Sequence, residues 1–282
     1  MPELPEVETV VRQLNKAIKG QKIINIEVKF DKLFKGNSKD VIGEDILEID
    51  RRSKILIFKL TRNFMLIHLK MTGQLIYIPK GSKHIIVGGH PEKAYEQPLP
   101  HKHTHIIFQL SGGTLYFNDM RKFGWAKVLT KLDDLKSEVK DFGPEYNWPE
   151  FTIEYLTNAL SRRQIPIKTA LLNQSIISGL GNIYSDEVLF CAGIRPTHKA
   201  NSLKKPQIKA IFDCIPLVFE EAIKYGGTSK KDYLHITGEK GTYYEYTKIY
   251  DKAGRPCKKC KTTVEKVKIS GRTSSFCPHC QK

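Results

Sequence analysis

Residues 53–71 read SKILIFKLTRNFMLIHLKM. Ile55-Leu56-Ile57-Phe58 and Met65-Leu66-Ile67 flank the polar triplet Thr61-Arg62-Asn63. Short apolar runs separated by turn residues fit strands better than helices, so the stretch predicts a β-hairpin. Similar runs recur on both sides of it, at 22–29, 43–50, 53–60, 63–71, 74–78, 104–110, 114–117 and 124–130. About eight such strands predict a β-sandwich. In front of them, residues 3–19 carry Val7, Val10, Val11, Leu14 and Ile18 at helical spacing, with Gly20 as a stop.

Beyond residue 130 the period changes. Residues 131–150 are polar, end in Trp148-Pro149 and read as a linker. Helices are predicted near Thr152, near Ile167 and after Gly181-Asn182. A long one runs from Pro206 to Tyr225, with Pro216 inside it, before Gly226-Gly227. Residues 227–247 lack a clear period and read as a loop. The fold class is therefore α+β. Its domains are a β-sandwich at 1–130, a linker at 131–150, a helical domain at 151–239 and a metal module at 240–282.

That last module rests on cysteine spacing. Cys257-x2-Cys260 and Cys277-x2-Cys280 lie sixteen residues apart, a pattern that suits four thiolates around one Zn²⁺. With every ligand supplied by protein, the metal would be structural. Ser270-Gly271 marks the turn of a hairpin between the pairs. Cys191 and Cys214 fall on apolar helical faces and read as buried thiols. Five of the nine histidines sit in the polar segment 80–105 (His84, His90, His101, His103 and His105), which reads as an inserted loop.

Net charge is +16, from 46 Lys+Arg against 30 Asp+Glu, which calls for a polyanionic partner such as nucleic acid. Half of that excess lies in 240–282, where eleven Lys/Arg face three acids. No stretch approaches a membrane span. The acidic N-terminus lacks a signal-peptide layout, so a cytoplasmic protein with no membrane partner is expected.

At Pro2-Glu3-Leu4-Pro5-Glu6-Val7-Glu8 and the four cysteines, the sequence resembles the formamidopyrimidine-DNA glycosylases. The likeness runs through Arg51-Arg52-Ser53-Lys54, His68-Leu69-Lys70-Met71-Thr72-Gly73 and Asp119-Met120-Arg121-Lys122-Phe123-Gly124. It continues in Gly179-Leu180-Gly181-Asn182-Ile183-Tyr184 and Gly226-Gly227-Thr228. The resemblance implies a β-sandwich followed by a helix–two-turn–helix domain with a zinc finger, and DNA held in the cleft between them. It implies a bacterial, monomeric, nucleoid-associated enzyme of base-excision repair. Such an enzyme removes 8-oxoguanine and formamidopyrimidines from damaged double-stranded DNA, then cuts the strand by β,δ-elimination.

The chemistry suits these residues. A secondary amine that attacks C1′ of the sugar can form an iminium with the opened ring and so acidify C2′–H. Pro2 is such an amine once Met1 is removed; otherwise it is a plain helix-start proline, as Pro5 reads. The resemblance makes Glu3 the general acid/base and Glu6 its supporting carboxylate. Ordinary acidic preference at a helix start accounts for Glu8 and in part for Glu6. Lys54, His68, Asn182 and Arg272 match residues that hold phosphates around a flipped nucleotide. Asn182 also reads as an N-cap, and the two roles are compatible. Met71, Arg121 and Phe123 match residues that fill the emptied stack, with Arg121 addressing the pairing edge of cytosine. Without the family pattern, Met71 and Phe123 would read as core.

Three features depart from the common family pattern: the long 80–105 segment, Asp119-Met120-Arg121-Lys122 in place of Asp-Pro-Arg-Arg, and Pro216. Two alternatives stand beside the purine enzyme. An endonuclease VIII-like pyrimidine glycosylase would start Pro-Glu-Gly-Pro-Glu where this chain has Leu4. A non-catalytic damaged-DNA binder would need no free N-terminal amine.

Overall fold

The computed structural model describes residues 2–81, 86–89, 97–228 and 242–282, with 86–89 described through their backbone. Two compact units emerge, Met1–Lys140 with Tyr225–Tyr244, and Asp141–Lys224 with Glu245–Lys282.

The first unit opens with helix α1 (Leu4–Ile18), and Pro5 sits in its first turn, where a missing N–H costs nothing. Strands β1 (Ile23–Val28), β2 (Phe34–Lys35), β3 (Ile46–Arg52), β4 (Ile55–Leu60) and β5 (Phe64–His68) follow. Then come β6 (Gly73–Pro79), β7 (Ile86–Gly89), β8 (Thr104–Leu110), β9 (Gly113–Asp119) and β10 (Trp125–Leu129). They form two five-stranded sheets, ordered β1-β8-β9-β6-β7 and β2-β10-β5-β4-β3. The hairpin expected around Thr61-Arg62-Asn63 is β4–β5, with Leu56 opposite Ile67 and Phe58 opposite Met65.

One apolar core joins the sheets. Phe58, Met65 and Ile67 of one sheet share it with Leu75, Phe108 and Phe117 of the other. Val7, Val10, Val11, Leu14 and Ile18 of α1 complete it. Helix α1 packs on β3 and β7, the edge strands on one side of the sandwich. An open strand edge presents unpaired backbone groups. Asn15 covers one such site on β3: its Nδ2 donates to Ile49 O at 2.5 Å and its Oδ1 accepts from Ile49 N at 2.8 Å. Glu8 adds a second tie, its carboxylate 2.7 Å from both Arg12 and Arg51. Burial alone would raise the Glu8 pKa, but the two guanidiniums hold it below the usual carboxylate range. Glu8 thus does more than favour a helix start.

Two strands escaped the sequence pattern. β2 is only two residues long, and β7 lies in the segment read as an inserted polar loop. His84 and His90 of that segment lie outside the described residues. His105 is buried, its Nε2 2.8 Å from Asp119 O. The polar run after β10 holds helix α2 (Leu132–Val139), none of whose residues is buried.

The second unit is built from α3 (Ile153–Ser161), α4 (Ile167–Leu172), α5 (Asn182–Cys191), α6 (Lys205–Lys224) and the hairpin β11 (Glu265–Ile269)–β12 (Arg272–Phe276). Thr152 caps α3 by accepting from Tyr155 N at 3.1 Å. Pro216 lies inside α6, which nonetheless runs its full twenty residues. Cys191, read as a buried thiol, is half-buried, and it is joined to the buried Cys214 as a disulfide between α5 and α6. Among the described residues no helix is long and apolar enough to cross a membrane.

Two adjacent acids on α5 fasten this unit. Asp186 Oδ1 receives Lys168 Nζ at 2.6 Å and the Ser274 hydroxyl, while Oδ2 accepts from Ser275 N at 3.0 Å. The side chains of Lys168 and Asp186 are 0% and 1% exposed. Glu187 accepts from the backbone N–H groups of Lys248, Ile249 and Tyr250 at 2.8–3.1 Å. Burial holds the Glu187 pKa above its ordinary value against those donors. α5 is therefore bound to the metal hairpin by one acid and to the 248–250 segment by the next.

Removing Asp186 would strand the Lys168 ammonium in the interior. We expect Asp186→Ala to cost about 3–5 kcal/mol in urea unfolding followed by far-UV circular dichroism. Lys59→Ala, which breaks exposed pairs with Glu48 and Asp50, should stay within about 1 kcal/mol. Similar losses in the two variants would refute the role given to the buried pair.

Candidate nucleic-acid interface and metal centre

Pro2 is buried at the start of α1, followed by the N-cap Glu3, 2% exposed. Glu6, one turn on, is also buried. Its Oε2 accepts from Glu3 N at 2.8 Å. Its Oε1 accepts from Thr228 N at 2.7 Å and Thr228 Oγ1 at 2.9 Å. Gly227 makes that approach feasible. It holds φ +82°, and a Cβ there would come within 2.7 Å of Glu6 Oε1. Thr242 N to Tyr225 O and Tyr243 N to Gly227 O close the base of the segment. Glu6 therefore fixes both the start of α1 and the root of the loop. Its bond to Thr228 has no signature in sequence, because the partners lie 222 residues apart. The loop expected at 227–247 falls mostly on 229–241, outside the described residues, as does Met1.

Lys54 and His68 come together across β3, β4 and β5. Arg52 pairs with Ile55, leaving Ser53-Lys54 as a two-residue turn with Ser53 at φ 56°. His68 Nδ1 accepts from Lys70 N at 3.0 Å. The ring proton must then sit on Nε2, which makes the neutral ring a donor. Burial, then the charges of Lys70 and Lys54, pull the His68 pKa down to about 3. The imidazole leans on Trp125, ring centroids 5.8 Å apart.

Met71, Arg121 and Phe123 share one organiser. Asp119, fully buried, accepts from the Thr72 hydroxyl and Arg121 N through Oδ1 and from Gly124 N through Oδ2. Arg121 N also reaches Thr72 Oγ1 at 3.1 Å. This ties the turn after β5 to the turn after β9 and leaves three side chains in solvent. Met71 is 38% and Phe123 54% exposed. The Arg121 guanidinium lies 4.8 Å from the Phe123 ring centroid. A methionine and a phenylalanine left this exposed are not core residues. Asp119 belongs to a quoted motif, yet its organising role was not read from the sequence.

In the second unit, Gly181 takes the N-cap position with extended backbone, and Asn182 is the first helical residue of α5. The capping role considered for Asn182 thus passes to its neighbour. Asn182 Nδ2 donates to Thr273 O at 3.2 Å, next to Arg272, and one amide hydrogen remains. Thr169 Oγ1 meets Ser270 Oγ at 2.9 Å, pinning the hairpin turn to α4. Arg272 is exposed at the start of β12. The metal hairpin and the start of α5 thereby place Asn182 and Arg272 close together.

Cys257, Cys260, Cys277 and Cys280 hold their sulfurs within 4.8 Å of one another. Cys260–Cys277 and Cys257–Cys280 are 3.5 and 4.0 Å apart, bracketing the edge of roughly 3.8 Å set by four Zn–S bonds of about 2.3 Å. A hydrogen bond from Thr262 leads the causes that pull Cys260 down to about 6, while burial and its thiol neighbours push Cys280 up to about 12. Four crowded thiols cannot all ionise without a dication, so the donor set fits one structural zinc. Cys257 and Cys277 pack with Phe190, Ile249 and Val264, so the four-sulfur site lies beside the C-terminal half of α5.

Two measurements test these assignments. Nitrogen-15 NMR of His68 should show the Nε2–H tautomer with no protonation between pH 8 and about 5. Because its folded pKa lies below the unfolded value, its contribution to stability is intact above about pH 6.5 and is lost as pH falls toward 3. A ring that titrates near 6.5 would refute the half-buried neutral donor. Stripping zinc with a strong chelator should abolish slow hydrogen exchange at Ser275 N, since apo zinc modules unfold. Exchange unchanged by chelation would show that the hairpin stands without metal.

The formamidopyrimidine-DNA glycosylase N-terminal domain family matches residues 1–126. The H2TH domain family of the same glycosylases matches 142–233. The zinc finger found in FPG and IleRS matches 254–282. Formamidopyrimidine-DNA glycosylase of Streptococcus mutans is 38% identical over all of this chain and 100% of its own length. That of Streptococcus pneumoniae is 36% identical over 100% and 99%. A Lactococcus lactis Fpg mutant bound to DNA containing Fapy-dG superposes with a TM-score of 0.88 at 34% identity, covering all of both chains. MutM bound to DNA containing carbocyclic 8-oxo-G gives 0.85 at 35%, again over both full chains. The three family matches in order, with relatives aligned from end to end, show that the chain belongs to the formamidopyrimidine-DNA glycosylase family.

Proposed function

We infer that this protein is a bifunctional DNA glycosylase and lyase that removes oxidised purines from duplex DNA. The observation that carries the reading is the start of α1, where Pro2 and Glu3 are buried and Glu6 fastens them to Thr228. With Met1 gone, the Pro2 nitrogen is a secondary amine. It attacks C1′, the C1′–base bond breaks, and the base leaves. Glu3 protonates the sugar ring oxygen, the C1′–O bond opens, and an iminium joins Pro2 to C1′. That cation acidifies C2′–H. Loss of the proton expels the 3′-phosphate, a second elimination expels the 5′-phosphate, and water hydrolyses the imine.

The remaining residues take supporting roles in this proposal. Lys54 and His68 on the first unit, and Asn182 and Arg272 on the second, donate to phosphates. His68 can do so as a neutral N–H donor at physiological pH. Phosphate contacts position the duplex without reading its bases. Met71 and Phe123 enter the stack vacated by the flipped purine, and Arg121 offers donors to the cytosine opposite. Zinc takes no part in the chemistry; it holds the hairpin that carries Arg272. We propose the domain limits 1–130, 151–239 and 240–282 with 131–150 as linker, a monomer, and a cytoplasmic, nucleoid-associated location.

Borohydride trapping tests the amine mechanism. Protein with a verified proline N-terminus should form a covalent adduct with a duplex carrying 8-oxoguanine opposite cytosine. Pro2→Gly or Met-retained protein should lose it by at least a hundredfold. An adduct mainly with an oxidised-pyrimidine duplex would make this an endonuclease VIII-like enzyme. Tight binding without adduct or base release would leave a non-catalytic binder.

A further inference from the structure

Cys191 closes α5 and Cys214 lies midway along α6, their Cα atoms 6.0 Å apart. Neither takes part in the zinc cluster, and nothing in the proposed reaction uses them. Cys214 is 7% exposed and Cys191 is half-buried, which makes Cys191 the more accessible residue of the pair. The join falls beside Pro216, whose missing N–H removes the bond it would make to Phe212 O. A covalent tie there braces α6 where its hydrogen-bond ladder is interrupted.

We propose that Cys191 and Cys214 are a peroxide-responsive dithiol/disulfide couple that staples α5 to α6. This rests on the cytoplasmic location proposed above, where thiols are held reduced until an oxidant arrives. The Cys191 thiolate attacks one oxygen of a hydroperoxide; the O–O bond breaks, giving a sulfenic acid and hydroxide, which takes up a proton to become water. The Cys214 thiol then attacks that sulfur, the S–O bond breaks, and a second water leaves. Two thiols lose two electrons and two protons, and one peroxide becomes two waters. Peroxide-derived oxidants also damage guanine, so the staple would close under the conditions that create the substrate.

The staple strengthens the unit without blocking it. Cys191 and Asn182 are at opposite ends of α5, about 14 Å apart along its axis. The bond spans 23 residues and limits the unfolded chain, so closure should raise Tm by roughly 5–10 °C. DNA affinity should change less than twofold.

The test uses full-length, zinc-loaded protein, reduced with a phosphine, freed of it and titrated with hydrogen peroxide. Peptide mapping without reductant should find a Cys191–Cys214 crosslink two hydrogens lighter than the separate peptides. Tm should rise in step, and a chromogenic chelator should detect little released zinc. Cys191→Ser and Cys214→Ser should abolish the crosslink and the rise, with Cys191→Ala and Cys214→Ala as second variants should serine impair folding. Sulfinic acid at Cys191 without a crosslink would overturn the proposal. So would zinc release before the crosslink forms, or an equal Tm rise in the variants. None of these readouts depends on glycosylase activity, so they remain informative even if the trapping experiment fails.

Discussion

The carboxylate of Glu6 is the interaction on which the start of α1 depends. A buried carboxylate is tolerable only when donors surround it. Glu6 takes one from its own helix start and two from Thr228. Charge-assisted bonds of this kind are each worth about 1.5–3 kcal/mol, and they are directional. Together they hold the backbone of Glu3, and hence the chain leading to Pro2, against the root of a loop far away in sequence. A larger residue than Gly227 would collide with the carboxylate, so the glycine follows from the acid.

The same device recurs. Glu44 is buried and accepts from Arg62 N, Asn63 N and both side chains of that turn, which sets the β4–β5 connection. Asp119 organises the turns that present Met71, Arg121 and Phe123. Asp186 and Glu187 bind the metal hairpin and the 248–250 segment to α5. In each case a buried acid is matched to donors of another segment, a turn, a loop or a strand. This matters in a chain of net charge +16, because a polyanionic partner is repelled by exposed acids and steered by exposed bases. Interior acids can organise functional loops while most of their field is neutralised by their own donors.

That arrangement explains what the sequence could reveal. Apolar periodicity made α1, the β4–β5 hairpin and α6 legible, because a buried face leaves a repeating pattern. Cysteine spacing made the zinc centre legible, because metal geometry constrains close neighbours in the chain. Lys54, His68, Met71, Arg121 and Phe123 were legible through resemblance alone, since their grouping depends on strand pairing and tight turns. The acids were hardest. Asp119 falls in a quoted motif, but a carboxylate that fastens a segment many residues away looks like any polar surface residue. α2 hid for the opposite reason: it buries nothing, so no stripe marked it. Cys191 and Cys214 each looked like a buried thiol because their pairing depends on how α5 meets α6.

Recognition and architecture then become one problem. Asn182 begins the same helix that carries Asp186, Glu187 and Cys191, and Asp186 holds the strand that follows Arg272. Moving the hairpin by an ångström would displace Arg272 and strain the Asn182–Thr273 bond together. Zinc fixes one end of that hairpin, and the bonds from Thr169, Asn182 and Asp186 fix the other. Two polar side chains held this way need little reordering to meet a ligand, so less binding energy would be lost to entropy. The structural metal and the buried ion pair therefore act on Asn182 and Arg272 at a distance, by fixing the hairpin and the helix start that carry them.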